Sequence, residues 1–253
     1  MEFAILKATA GNTITDSRFH ENVKGAKAAG VPIGAYHFFY GTNEAQTRAE
    51  AQYFLNAIKG YTFEYPLAID VEGQALNLPK ETLLSLVQLF CETVEEAGYY
   101  IAVYASASPL NGILNGPGMN KFDIWVAQWS QEAPTIPLPY GLWQHSNQGS
   151  VAGISTRVDL DYAYQDYPAI MKQAGLNGFG KRPVVAGARV SLSGTPLYAT
   201  ASTKVQAGTL TGTYYLYDGV QVNGRYRVTN SPDRVGKEPI GANVTGWVDG
   251  TSL

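Results

Sequence analysis

Along the first two-thirds of the chain, short apolar runs take turns with longer amphipathic stretches, and that alternation leaves few folds open. FAILKA (3–8), IGAYHFF (33–39), PLAIDV (66–71), IAVY (101–104), IWVAQ (124–128) and LWQH (142–145) are predicted strands. Where such a run is near-continuously apolar, as at its start FAILKA is, it suits a strand buried on both faces. Between them lie helical periods. Residues 19–29 are closed by Gly30 and Pro32, and the alanine-rich 44–58 has Phe54 and Ile58 one turn apart and ends at Gly60. Pro79 at a first helical position starts a third, with Leu83, Leu86, Val87, Phe90 and Val94 on one face and Gly98 after it. Repeated strand–helix–strand units make a parallel sheet, closed or open. No glycine-rich phosphate loop follows any strand, which favours a barrel over a dinucleotide-binding sheet.

The pattern stops after Tyr164. Residues 166–183 read as a linker with one helical turn around 169–173. Beyond it no helical period survives: VVAGARVSL, TPLYAT, GTYYLYDG, GRYRVTN and VTGWVDG are separated by turn residues, as in a small all-β barrel of about 70 residues. Two domains are expected, 1–165 and 184–253, joined by 166–183.

A net charge of −3 and the lack of a Lys/Arg cluster give no footing for nucleic acid or an anionic membrane as partner. There is no run of about 18 apolar residues for a membrane span, and the start MEFAILKATAGN has neither a basic n-region nor a long apolar h-region. Synthesis in a cytoplasm is the expectation. Cys91 is the sole cysteine, so an intrachain disulfide and a cysteine zinc site are excluded, and its place in a helical apolar pattern reads as a buried thiol. The three histidines have no metal-ligand spacing, so no metal and no cofactor are expected. Seventeen tyrosines and four tryptophans suit carbohydrate contact, and equally an aromatic-rich β core.

LAIDVEG (67–73) sets two acids, Asp70 and Glu72, at the end of a buried-strand pattern. Residues two apart in a strand share a face at roughly 6–7 Å. That end carries the chemistry in α/β barrels. The spacing fits glycosidase chemistry without choosing its stereochemistry, and close carboxylates push their pKa values apart. Taken alone the pair also fits solvated strand-end acids. Polar and aromatic residues recur where a barrel rim would lie: Lys7, Tyr36 and His37, Tyr104, Gln128 and Trp129, Trp143 and Gln144, then Asp159.

In order along the chain, KATAGNTITDSRFHENVKGAKAAGVPIGAYHF, PLAIDVEG, VYAS, WVAQW and LWQHSNQGSVAGISTRVDLD resemble the glycoside hydrolase family 25 lysozymes, common among phage endolysins, over residues 1 to about 164. The resemblance implies an α/β fold, an irregular (β/α)5β3 TIM-like barrel, and cleavage of the β-1,4 bond between N-acetylmuramic acid and N-acetylglucosamine of bacterial peptidoglycan. It implies Glu72 as general acid, Asp70 as its helper in tuning it or orienting the acetamido group, and Asp159 as a third acid. Tyr36, Tyr104 and Trp143 become sugar contacts, with Lys7 and Gln128 at the pocket. His37 and His145, each one step past a pocket residue, read as structural, and His20 as a surface helix residue.

The family normally opens with an earlier strand bearing a D-V-S-like motif whose Asp faces the acid pair. Met1 here already lies in what matches the second strand. A missing start, a strand supplied by another chain, or an inactive wall binder are the three expectations that follow. The later segment, GTYYLYDGVQVNGRYRVTNSPDRVGKEP with VTGWVDG, resembles bacterial SH3-like domains of wall hydrolases. That implies wall binding, with Tyr214, Tyr215, Tyr217, Arg225, Tyr226 and Trp247 as contacts, about half of them core by alternation. An endolysin of this kind stays in the host bacterial cytoplasm until a holin or lysis releases it. A sugar-phosphate or nucleotide enzyme is disfavoured by the missing phosphate loops.

Overall fold

The apolar runs become strands of one eight-stranded sheet, and most of the amphipathic stretches become helices against one of its faces. In chain order the elements are β1 (Ala4–Ala10), β2 (Ile14–Thr15), α1 (Phe19–Ala28), β3 (Ile33–Phe38), α2 (Glu44–Ile58), β4 (Leu67–Asp70) and α3 (Lys80–Glu96). They continue with β5 (Ile101–Ser106), α4 (Ala107–Asn111), β6 (Asp123–Ala127), β7 (Leu142–Gly149), β8 (Val158–Ala163) and α5 (Tyr167–Ala174). All belong to the first of two units, Met1–Lys181 and Arg182–Leu253. The structure, a computed structural model, describes residues 1–180 and 184–253.

The strand order is β2-β1-β3-β4-β5-β6-β7-β8. From β1 through β7 the neighbours run parallel, except that β2 is antiparallel to β1, and β8 is antiparallel to β7. The expected (β/α)5β3-type barrel, thought to lack its first strand, does not form. A barrel closes only where its last strand finds the edge of its first. Here β1 shares with β2 just Thr9–Thr15 and Ala10–Ile14, and among the described residues no ladder joins β8 to β1. The sheet is a curled, open α/β sheet.

Alternation divides its side chains. Ile69 and Val71, Ile101 and Val103, and Ile124 and Val126 face the helices, where they meet Phe54, Leu83, Val87 and Phe90 in one core. Each such side chain, fully buried, is worth about 1.5–3 kcal/mol. The five expected positions of α3 are all buried, and Cys91 joins them with its thiol pushed up by burial. The opposite face carries Ala68, Asp70, Tyr104, Trp125 and Gln144, and it is this concave side that holds the site.

The segment expected as a linker is in part structure. Asp166 caps α5 by accepting from Ala169 N–H (3.1 Å), Pro168 sits in its first turn, and Gly175 ends it in the left-handed region. Tyr167 and Met171 are buried, and the Tyr167 hydroxyl donates to Asp123. Gly141 permits this, since a Cβ there would lie 2.0 Å from the Tyr167 oxygen. A short helix docked by one tyrosine leaves little periodicity in a sequence. Residues 181–183 of the expected linker lie outside the described residues.

The second unit has β9 (Arg189–Tyr198), β10 (Gln206–Val222), β11 (Arg225–Thr229), α6 (Ile240–Asn243) and β12 (Gly246–Asp249). Its strands close into an antiparallel barrel, β10-β11-β12-β9, around Leu192, Leu210, Leu216, Val228 and Val248. Asn223 and Gly224, at φ 49° and 79°, make the two-residue turn from β10 to β11, the conformation for which Asn-Gly is suited.

Candidate active site

Asp70 is the last residue of β4 and is only 5% exposed. Its neighbour Val71 points to the helices and its N–H bonds Tyr104 O (2.9 Å), so the strand geometry continues and Glu72 returns to Asp70's side. Glu72 is half-buried and extended (φ −146°, ψ −177°), and Gly73 turns the chain at φ 61° immediately after. Burial first, and then the Glu72 charge, push the Asp70 carboxyl up to about 8, with Lys7 pulling the other way. Asp70 Oδ1 has no hydrogen-bond partner among the described residues. A desolvated acid with a free oxygen is equipped to meet a substrate donor.

Around the pair stand half-buried Tyr36 on β3 and Tyr104 on β5. Burial, then the charge of Asp70, raises both hydroxyls, and Asp159 and Glu72 act on them too. Asp159 on β8 thus lies within electrostatic reach of both hydroxyls. Trp125 on β6 lies under the tyrosines, 4.6 Å from the Tyr104 ring and 6.4 Å from that of Tyr36. Its Nε1 donates to Asp161 Oδ1 at 2.7 Å, while Gln144 Oε1 accepts from Tyr104 Oη (3.1 Å) and Trp129 Nε1 (3.0 Å). Asp161 is raised to about 7, by burial first, opposed by the Trp125 bond and supported by Asp159. Asp159 lies more open at the rim, its carboxyl raised by partial loss of water. Lys7 Nζ sits 5.2 Å from the Phe38 ring centre, a cation among acids.

Two expected pocket residues face elsewhere. Trp143 is buried on the helix side, its Nε1 donating to Gln128 O at 2.9 Å and its ring against His145 and Tyr162. Gln128 turns away to bond Ser130 Oγ (3.2 Å) and Glu132 O. In each doublet the neighbour, Trp129 or Gln144, is the one that joins the pocket network. Parity is the reason: a strand apolar on both faces does not announce which residue points where. Trp125 was hidden for the same reason. Asp161 carried a signal, because it stands two residues from Asp159 just as Glu72 stands two from Asp70. The histidines sit outside the pocket: His37 is fully buried, His145 stacks on Tyr162 (4.3 Å), and His20 bonds Tyr61 on the surface. Among the described residues no group of His, Cys, Asp or Glu is placed to hold a metal ion, and none of their helices is long and apolar enough to cross a membrane.

In the second unit Tyr217 is buried and donates to Lys237 O, so it belongs to the core rather than to a wall-facing surface. Arg225 is likewise engaged internally: its guanidinium lies 3.3 Å from the Tyr198 ring centre and bonds Asp249 (2.8 Å) and Thr203 O (2.6 Å). Tyr214, Tyr215, Tyr226 and Trp247 are half-buried, with Arg227 over Trp247 at 4.8 Å.

Two acids at the carboxyl end of the parallel strand β4 and two on the antiparallel β8, beside an aromatic floor, define an α/β protein with a strand-end site of the kind that works on sugars. Residues 1–154 match the profile of the glycosyl hydrolases family 25, and the chain belongs to that family. It is 34% identical over 164 residues to the autolytic lysozyme of Clostridium acetobutylicum, covering 64% of this chain and 48% of that protein. Lysozyme M1 of Streptomyces globisporus is 32% identical over 178 residues, 63% of this chain and 58% of that one. The crystal structure of the bacterial lysozyme from Streptomyces coelicolor superposes with a TM-score of 0.58 at 29% identity, covering 71% of this chain and 88% of that one. The CTP1L endolysin gives 0.57 at 26% identity, covering 67% and 60%. The chain thus spans about half the length of the curated relatives it matches.

Proposed function

We propose that the first unit is a lysozyme-type N-acetylmuramidase. It hydrolyses the β-1,4 bond between N-acetylmuramic acid and N-acetylglucosamine in peptidoglycan, in an endolysin's role of bacterial lysis. The carrying observation is the buried Asp70, with its unpartnered oxygen, two residues from Glu72 at the end of β4. In this reading the Asp70–Glu72 pair shares one proton, which Glu72 passes to the glycosidic oxygen as the bond to the sugar carbon breaks; water adds to that carbon and returns a proton to the pair. Asp70 orients the acetamido group through Oδ1, and Asp159 faces the charge that develops on the ring. Tyr36 and Tyr104 supply the sugar-contacting wall.

The second unit is then an SH3-like wall-binding domain, using Tyr214, Tyr215, Tyr226 and Trp247. The protein acts on the wall after a holin or lysis releases it from the host cytoplasm. Clearing of purified cell walls tests the reading. Glu72→Gln is expected to slow clearing by about 10²–10⁴-fold. Equal clearing by both proteins, with contamination excluded, overturns Glu72's role.

A second reading is a wall-binding protein with impaired catalysis. Retention of the wild-type protein on walls without clearing supports it.

A further inference from the structure

The pocket's aromatic floor is anchored from a single strand pair. Gln144 on β7 and Asp161 on β8 are register partners across the antiparallel ladder. Asp161 takes the Trp125 indole N–H at 2.7 Å, and Gln144 takes the Tyr104 hydroxyl and the Trp129 indole N–H at 3.1 and 3.0 Å. Trp125 is 5% exposed and Gln144 3%, which shields one side of each bond, while Asp161 and Tyr104 are half-buried and Trp129 is 60% exposed.

Packing alone does not call for these groups. An apolar floor would fill the same space, whereas a buried indole demands an acceptor and a buried carboxyl is costly to desolvate. What the polar pair adds is direction. Trp125 meets both tyrosines that flank Asp70, so the tilt of its ring sets theirs.

We propose that Asp161 and Gln144 are positioning residues. Through Trp125, Tyr104 and Trp129 they fix the shape of the sugar-contacting wall without touching the reacting atoms. As a statement about substrate this rests on the muramidase reading; as a statement about the aromatic wall it does not.

The test uses the full chain labelled with ¹⁵N, with the four indole N–H resonances followed beside turnover of sonicated peptidoglycan. Trp125→Phe assigns the Trp125 resonance. Asp161→Ala is expected to move that resonance and to raise KM by on the order of tenfold to a hundredfold, with a smaller fall in kcat. Asp161→Asn, which keeps an acceptor oxygen, restores both. Gln144→Ala moves the Trp129 resonance in the same way. An unmoved Trp125 resonance in Asp161→Ala, no rescue by Asn, or an unchanged KM in the folded variant overturns the proposal.

If Asp161→Ala is too unstable to purify, Trp125→Phe/Asp161→Ala decides: its KM should match that of Trp125→Phe within about twofold, and a further rise overturns the coupling. Should the wild type fail to clear peptidoglycan, the muramidase reading falls. The resonance shifts and their rescue by Asn then decide the wall on their own.

Discussion

At the residue scale, Asp70 shows how the fold changes a side chain's chemistry. A carboxyl raised to about 8 from an ordinary 3.8 holds its proton in the native state and releases it in the unfolded chain. Across that interval the native state binds more protons, so this group makes stability fall as pH rises from about 4 to about 8 and level off above. Asp70→Asn removes the slope. Thermal melts should show the variant gaining on wild type between about pH 5 and about pH 8. A difference that stays constant over that interval would mean that Asp70 is ionised in the native protein. The pair in LAIDVEG was legible in sequence; which of its acids is stripped of water was not, because burial of Asp70 depends on the strands beside it, β3 and β5.

At the element scale, α2 is clipped to β3 and β1 by a buried polar chain. Glu50 Oε2 accepts from His37 Nε2 (2.9 Å) and from Tyr40 N–H (3.0 Å), and Thr9 Oγ1 meets His37 Nδ1 at 2.7 Å. Burial holds the imidazole below its ordinary pKa, against the pull of Glu50. A neutral ring protonated on Nε2, taking the Thr9 proton on Nδ1, satisfies every group. Glu50→Ala leaves the buried His37 donor and the part-buried Tyr40 N–H without an acceptor and should cost about 2–5 kcal/mol in chemical denaturation, against a fraction of that for exposed Glu44→Ala. Reading His37 as structural follows from its place beside Tyr36 in a strand. Its partners, 28 and 13 residues away, could not be read from β3. Likewise the helical period of α3 named its buried face directly, whereas α5 owes its place to Tyr167 meeting Asp123 across 44 residues.

At the scale of the whole molecule, an α/β unit and a closed β barrel share one chain. If the barrel binds wall polymer, joining the two raises the local concentration of the hydrolase on an insoluble substrate. A protein ending at residue 180 should then sediment with purified walls far less well, by about 10²–10⁴ in avidity, while its turnover of soluble fragments stays near that of the full chain. Equal sedimentation of the two proteins would remove the barrel from wall binding.

What the sequence determined by itself is what short-range periodicity can carry. It gave the positions of six strands and the three long helices of the first unit, a largely parallel α/β character there, an all-β second unit, and two acids on one side of a strand end. Such features need only neighbours a few residues apart. Tertiary structure decided whether the sheet closes, since closure requires β8 to find β1 at the far end of the unit. It decided which member of each aromatic–amide doublet enters the pocket, because parity in a strand buried on both faces is set by its register with distant strands. It also set the proton on Asp70, which depends on how much water the curled sheet leaves beside it.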